Sequence, residues 1–197
     1  MSFPRLERYL AQLPDGLASY PECVSKATVL RALADEMNMP GSKLQGVPPS
    51  LFALMTNIPP ATAWISEAAT VAAHLAYADA ARLPTAMMLD RIYNASKRMI
   101  ASPMYRVLAK VASPRLLLRG AEMSWRLLHR GVDLSIRFDE KAATILATHP
   151  PHLWTDVAHE GAAVGFRSVI ESAGGTEVRC RVISSLPERG EFELRWT

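Results

Sequence analysis

Apolar positions recur every three or four residues along the first half of the chain, and every second residue along much of the second half. From Glu22 to Met39, Val24, Ala27, Leu30, Leu33, Ala34 and Met37 fall on one helical stripe, with Lys26, Arg31 and Asp35 off it. Pro40-Gly41 ends that stripe. A short helix over Ser50–Thr56 is predicted, capped by Ser50. After the Asn57-Ile58-Pro59-Pro60 break, Ala61 to Ala81 is rich in alanine and carries Trp64, Ile65, Val71, Leu75 and Tyr77, which predicts a closely packed central helix. Pro84 opens a further helix with Met87, Met88, Ile92, Tyr93 and Met99 as its apolar positions, and Ser102-Pro103 opens a short one through Val111.

The period then changes. Val132, Leu134, Ile136 and Phe138 alternate with Asp133, Ser135 and Arg137, the pattern of a half-buried strand. Ser124–Arg130 is predicted as the strand before it, with Arg130-Gly131 in the turn, and Ala142–Ala147 as the strand after it. A long helix is predicted from Pro150-Pro151 to Ala173, ended by Gly174-Gly175. In the final hairpin, Val178, Cys180 and Val182 share a face with Phe192, Leu194 and Trp196, and arginines lie opposite glutamates on the other. The predicted class is α+β: a helical part (1–112) packed on a C-terminal antiparallel sheet with one long covering helix (113–197), both sharing one core in a single domain.

Hydrophobic residues make up 49% of the 197 residues and charged residues 21%, a balance that excludes disorder. Cys23 and Cys180 stand far apart in no metal or redox spacing, which favours a reducing compartment. The start, MSFPRLERYLAQL, has no secretory core, and the apolar region from Leu51 to Leu83 is interrupted by Pro59, Pro60, Glu67, His74 and Asp79. No membrane span and a cytoplasmic location are expected. A formal charge of +3 is too weak to imply nucleic acid. Between Arg91 and Arg137 ten basic residues face only Glu122 and Asp133. With no helix-turn-helix, aromatic platform or dense basic run beside them, they read as a solvated face with internal salt links.

GxSxG, HExxH, P-loop, GxGxxG and CxxC patterns are all absent. His152, Asp156 and His159 fall at i, i+4 and i+7, a spacing that suits a metal. Against it, Leu153, Trp154, Val157 and Ala158 mark the helix's apolar face and place the histidines on the solvated side. His149, before a proline, reads as a loop residue. His74 in the alanine-rich helix has the geometry a haem ligand would need, although a lone histidine there is more often a core residue. Gly161 and Gly165, four apart, predict close packing of the last helix on the sheet.

The stretches GLASYPECVSKATVLRAL (16–33), SPMYRVLAKVASPRLLLRGAEMSWRLLHRG (102–131) and GFRSVIESAGGTEVRCRV, with the closing FELRW, resemble an uncharacterised family of myxobacterial paralogues of this length. That family is similar in layout to haem nitric-oxide-binding domains and to their cofactor-free relatives. Those relatives bind small ligands or partners, and the resemblance implies the same of this chain; pockets favour the junction between helices and sheet. The chain departs from the haem group at the tyrosine-serine-arginine strand motif that grips haem propionates, because Ser135-Ile136-Arg137 follows Leu134. The expectation is therefore a non-enzymatic cytoplasmic signalling or regulatory module without a cofactor, binding a small ligand or a protein partner at the junction. Trp125, Arg126, His129 and Trp154 are the candidate lining. The alternatives are a structural homo-oligomer, in the simplest case a homodimer, and a metal-dependent enzyme using His152, Asp156 and His159.

Overall fold

The computed structural model describes residues 2–101 and 114–197. The helical stripes of the first half become α1 (Pro4–Gln12), α2 (Ala27–Met37), α3 (Pro49–Thr56), α4 (Glu67–Ala80) and α5 (Thr85–Ala101). Two further helices, α6 (Pro114–Leu128) and α7 (Asp156–Ser172), belong to the second half. Strands β4 (Asp133–Phe138), β5 (Ala142–Thr148), β6 (Arg179–Leu186) and β7 (Arg189–Arg195) form an antiparallel sheet in the order β4-β5-β7-β6. This is the predicted α+β class, with α7 as the covering helix. One cluster of buried apolar side chains runs from Leu6 and Leu30 through α4 to Ile145 and Leu194. The short helix expected from Ser102 to Val111 lies outside the described residues.

The closing hairpin follows its sequence pattern. Cys180 pairs with Leu194 and Val182 with Phe192, while Arg181 faces Glu193 across the strands at 2.8 Å. A bulge between Val182 and Ser184 then shifts the register, so that Ser185 stands opposite Gly190.

Local periodicity misled at three places. Val24–Lys26 and Trp64–Ser66, expected at or near the starts of helices, are instead strands β1 and β2. With β3 (His129–Arg130) they make a second small antiparallel sheet in the order β2-β1-β3. The expected strand Ser124–Arg130 is helical as far as Leu128. Its alternation of apolar and basic residues fits either period. The helix prevails because Leu118 and Trp125, seven apart, turn inward, while Met123 and Leu127 are 71% and 64% exposed. The last long helix begins at Asp156, where the Thr155 side chain caps it by accepting from the Ala158 N–H.

Glu67, the first residue of α4, ties these parts together. Its own N–H donates to the Cys23 carbonyl on the small sheet. Its buried carboxylate accepts the Trp154 indole N–H at 2.9 Å and meets His129 Nδ1 at 3.3 Å. One carboxylate thus joins α4 to β3 and to the turn before α7. Burial pushes the Glu67 carboxyl up, but the His129 ring and hydrogen bonds from His129, Trp154 and Ser25 outweigh it and hold the group below its ordinary value.

Glycines mark the tightest contacts. Gly161 lets Ile92 of α5 approach, since a Cβ there would stand 3.2 Å from its Cδ1. The small residues of α7 therefore admit a neighbouring helix rather than the sheet. At Gly190 a Cβ would lie 2.5 Å from Cδ2 of His159 and 2.9 Å from its Nε2.

Gly190→Ala is expected to cost about 1–3 kcal/mol in urea unfolding by overpacking the His159 ring. Gly120→Ala, in the middle of α6 with nothing among the described residues within 4 Å of the new methyl, is expected to stabilise by about 0.5–1 kcal/mol. Glu67→Ala should cost about 3–5 kcal/mol, because it strands two buried groups. Since the folded Glu67 value lies below the unfolded one, its contribution is complete above the ordinary carboxyl value of 4.5 and is lost as pH falls through the folded value. Acid unfolding curves of wild type and Glu67→Gln should converge at low pH; curves that stay parallel would remove Glu67 from this role.

Candidate functional site

Every residue of α4 is buried except His74. His74 borders a cavity of about 290 Å³ between α4, α5, α6, α7 and the sheet. The walls are apolar. Val71 comes from α4, Met88 and Ile92 from α5, Phe166 and Val169 from α7, and Leu134 and Ile145 from the sheet. Against this lining the His74 Nε2 is buried and, among the described residues, has no hydrogen-bond partner. Burial pushes the imidazole down to about 4, with Glu67 pulling weakly the other way, so the ring is neutral at physiological pH. A buried polar atom without a partner costs about 1–3 kcal/mol, and such atoms are rare in folded proteins.

One rim of the cavity is an aromatic stack. Trp125, four residues before His129, lies flat on the His129 ring at 3.9 Å and 12°. Its indole N–H donates to the Val132 carbonyl at 2.8 Å. Trp154 meets Trp125 edge-on at 6.0 Å and is held from behind by Glu67. Trp125, His129 and Trp154 therefore do come together on the cavity. The expected shared face of Trp125 and His129 arises from one helical turn, not from strand alternation. Arg126 does not join them: α6 turns it outward, where it is exposed. Among the described residues the lining holds no lysine or arginine.

The histidines of α7 also differ from expectation. His159 is not solvated but 1% exposed, because Leu153 and Trp154 sit in the turn before the helix and so do not set its buried face. Its Nε2 lies 3.0 Å from Nε2 of His149, and its Nδ1 2.7 Å from the Ser185 hydroxyl. Asp156 touches this group only through Ser185, at 2.5 Å. His152 stands in the turn at φ 60°, its N–H donating to the Pro187 carbonyl. Among the described residues no group of three or more His, Cys, Asp or Glu stands together as a metal site.

Several of the basic residues between Arg91 and Arg137 are engaged within the molecule. Arg91 and Arg98 both reach Glu36, Lys97 reaches Glu171, and Arg130 lies over the Trp64 ring.

Sequence reasoning missed Glu67, His149 and Ser185. A lone acid in the first turn of an alanine-rich helix looks like any residue favoured by the helix dipole. A histidine before a proline looks like a loop residue. The face of Ser185 depends on a bulge that no pattern of its own strand announces.

No family model matches the chain, and no curated protein matches it. Solved structures do. The chain is similar to an oxygen-binding H-NOX domain related to soluble guanylate cyclases, with a TM-score of 0.60 and 7% identity over 86% of this chain and 92% of that one. It is equally similar to the Fe(II) unliganded H-NOX protein from K. algicida, with a TM-score of 0.60 and 8% identity over 87% and 96%. An H-NOX structure described for its haem distortion matches with a TM-score of 0.60 at 7% identity, over 87% of this chain and 92% of that one. These neighbours overturn the expectation of no cofactor, since the structures that share the layout are described by their iron and haem. Helices, sheet and junction cavity together give this chain the H-NOX fold.

Proposed function

We propose that the chain is a non-enzymatic, intracellular sensory module that binds a compact, largely apolar molecule in the junction cavity. The observation that carries this reading is the apolar cavity itself, bordered by His74, whose buried Nε2 has no hydrogen-bond partner among the described residues. A ligand with one polar group opposite His74 would supply the missing hydrogen bond, while the remaining lining would gain contact area. A cavity of about 150 Å³ already admits benzene, so about 290 Å³ suits a molecule of roughly twice that size. Among the described residues no helix is long and apolar enough to cross a membrane.

A second reading follows from the neighbours, which are H-NOX proteins whose structures are described by haem and iron. The neutral imidazole of His74 fits such a group, because a free Nε2 is what an iron centre binds. The surroundings do not fit it as packed. The volume is small for a whole haem, and the lining offers no cation to its carboxylates among the described residues. Ser135 and Arg137, where a propionate grip would be sought, lie exposed on the outer side of β4.

Thermal unfolding with phenol and with toluene separates the two readings. Both probes should raise Tm, phenol more than toluene, and His74→Leu should abolish the difference while keeping the toluene response. Ala162→Phe, which fills the cavity, should abolish both. No shift with either probe sinks the small-ligand reading. Stoichiometric uptake of hemin with a Soret band that is lost in His74→Leu would replace it with the haem reading.

A further inference from the structure

The histidine pair behind Trp154 has a proton count that its neutral side chains do not meet. At one end, His149 Nδ1 lies 2.9 Å from the Pro150 carbonyl, which only accepts, so this nitrogen carries a proton. At the other end, Ser185 gives its hydroxyl proton to Asp156 Oδ1 at 2.5 Å. Ser185 Oγ must then accept from His159, and His159 Nδ1 also carries a proton. With both Nδ1 atoms committed as donors, neutral rings would turn two Nε2 lone pairs toward each other at 3.0 Å. That is a hydrogen-bond distance with no hydrogen to fill it.

Four links join the Pro150 carbonyl to the Asp156 carboxylate. Two neutral imidazoles and one hydroxyl supply three protons. Reversing the chain does not help. If Ser185 donates to His159, its oxygen faces Asp156 with no hydrogen between them unless Asp156 is itself protonated. Either way one further proton completes the network.

We propose that His149, His159, Ser185 and Asp156 form a proton-binding site, taking one proton that bridges the two Nε2 atoms, with Asp156 as its counter-charge. The fold builds the site from separate elements. The bulge in β6 turns Ser185 toward α7. Gly190 leaves room beside the His159 ring. The hydroxyls of Tyr9 and Tyr20 hold the Leu153 and Pro151 carbonyls of the turn that carries His149. The charged groups facing the pair are Asp156 from α7, Glu188 from the β6–β7 turn and Glu67 from α4, all of which favour a bound proton. Burial opposes them and pushes His159 down to about 4 and His149 below its ordinary value. Proton uptake therefore falls below pH 6.5, as a property of the coupled pair rather than of either ring.

Trp154 carries the consequence. Its ring lies 5.3 Å from His149 and 5.8 Å from His159 on one side, and it forms cavity wall on the other. Coupling of the proton to ligand binding rests on the function proposed above; the titration itself does not.

Imidazole nitrogen NMR of the full chain from pH 8 to pH 4 tests the site. Both Nδ1 atoms should stay protonated throughout, and both Nε2 resonances should move together in one step. His159→Gln should return His149 to titration nearer 6.5, and Asp156→Asn should shift the joint step to lower pH. Because the folded values are depressed, the unfolded chain binds more protons below about 6.5, so wild-type stability should fall as pH drops from about 6.5 toward 4, and this slope should shrink in His149→Gln. An unprotonated Nδ1 on either ring, or two steps that ignore each other, overturns the proposal. So does zinc at pH 7.5 raising Tm in wild type but not in His149→Gln, which would make the bridging species a metal ion.

Discussion

The buried carboxylate of Glu67 is the interaction on which the rest of the structure depends. It stands at the start of α4, where the small sheet, the aromatic stack and the turn before α7 meet. A charge taken out of water is tolerated only when its oxygens are filled, and here His129 and Trp154 fill them. The same two contacts fix the positions of two cavity walls. Trp154 is held by its indole N–H, and Trp125 is held by lying on the His129 ring that Glu67 orients.

A helix of small residues sits at the centre, and this leaves space elsewhere. Alanines let α4 pack closely on its neighbours, and His74, its one residue that is not buried, borders the cavity. On the other side of the cavity, Gly161 brings α7 close to α5. The cavity's polarity is concentrated in a few atoms, of which the His74 Nε2 has no internal partner among the described residues.

Two histidine environments differ in kind. His74 is alone among apolar groups and simply neutral. His149 and His159 face each other between fixed acceptors, so their protonation belongs to the pair. Both lie within reach of Glu67 electrostatically, and Trp154 links the two regions physically. The fold of the H-NOX structures is shared at 6–8% identity, which shows how little of this arrangement needs particular side chains outside the core.

Much of the architecture was legible in the sequence. Helical stripes, the change of period after Gly131, the closing hairpin and its facing residues all follow from spacing, because amphipathic periodicity records which side of an element is wet. The cluster of Trp125, His129 and Trp154 was legible as a mixture of apolar and polar residues near the junction, though its geometry was assigned to the wrong element. Tertiary structure alone decided the small sheet, since Val24, Trp64 and His129 are remote in sequence and three-residue strands carry no periodic signal. It also decided that His159 turns inward, that a β-bulge aims Ser185 at it, and that Glu67 is a buried link rather than a surface cap. Each of these depends on a partner more than twenty residues away, and a local pattern holds no information about what lies opposite.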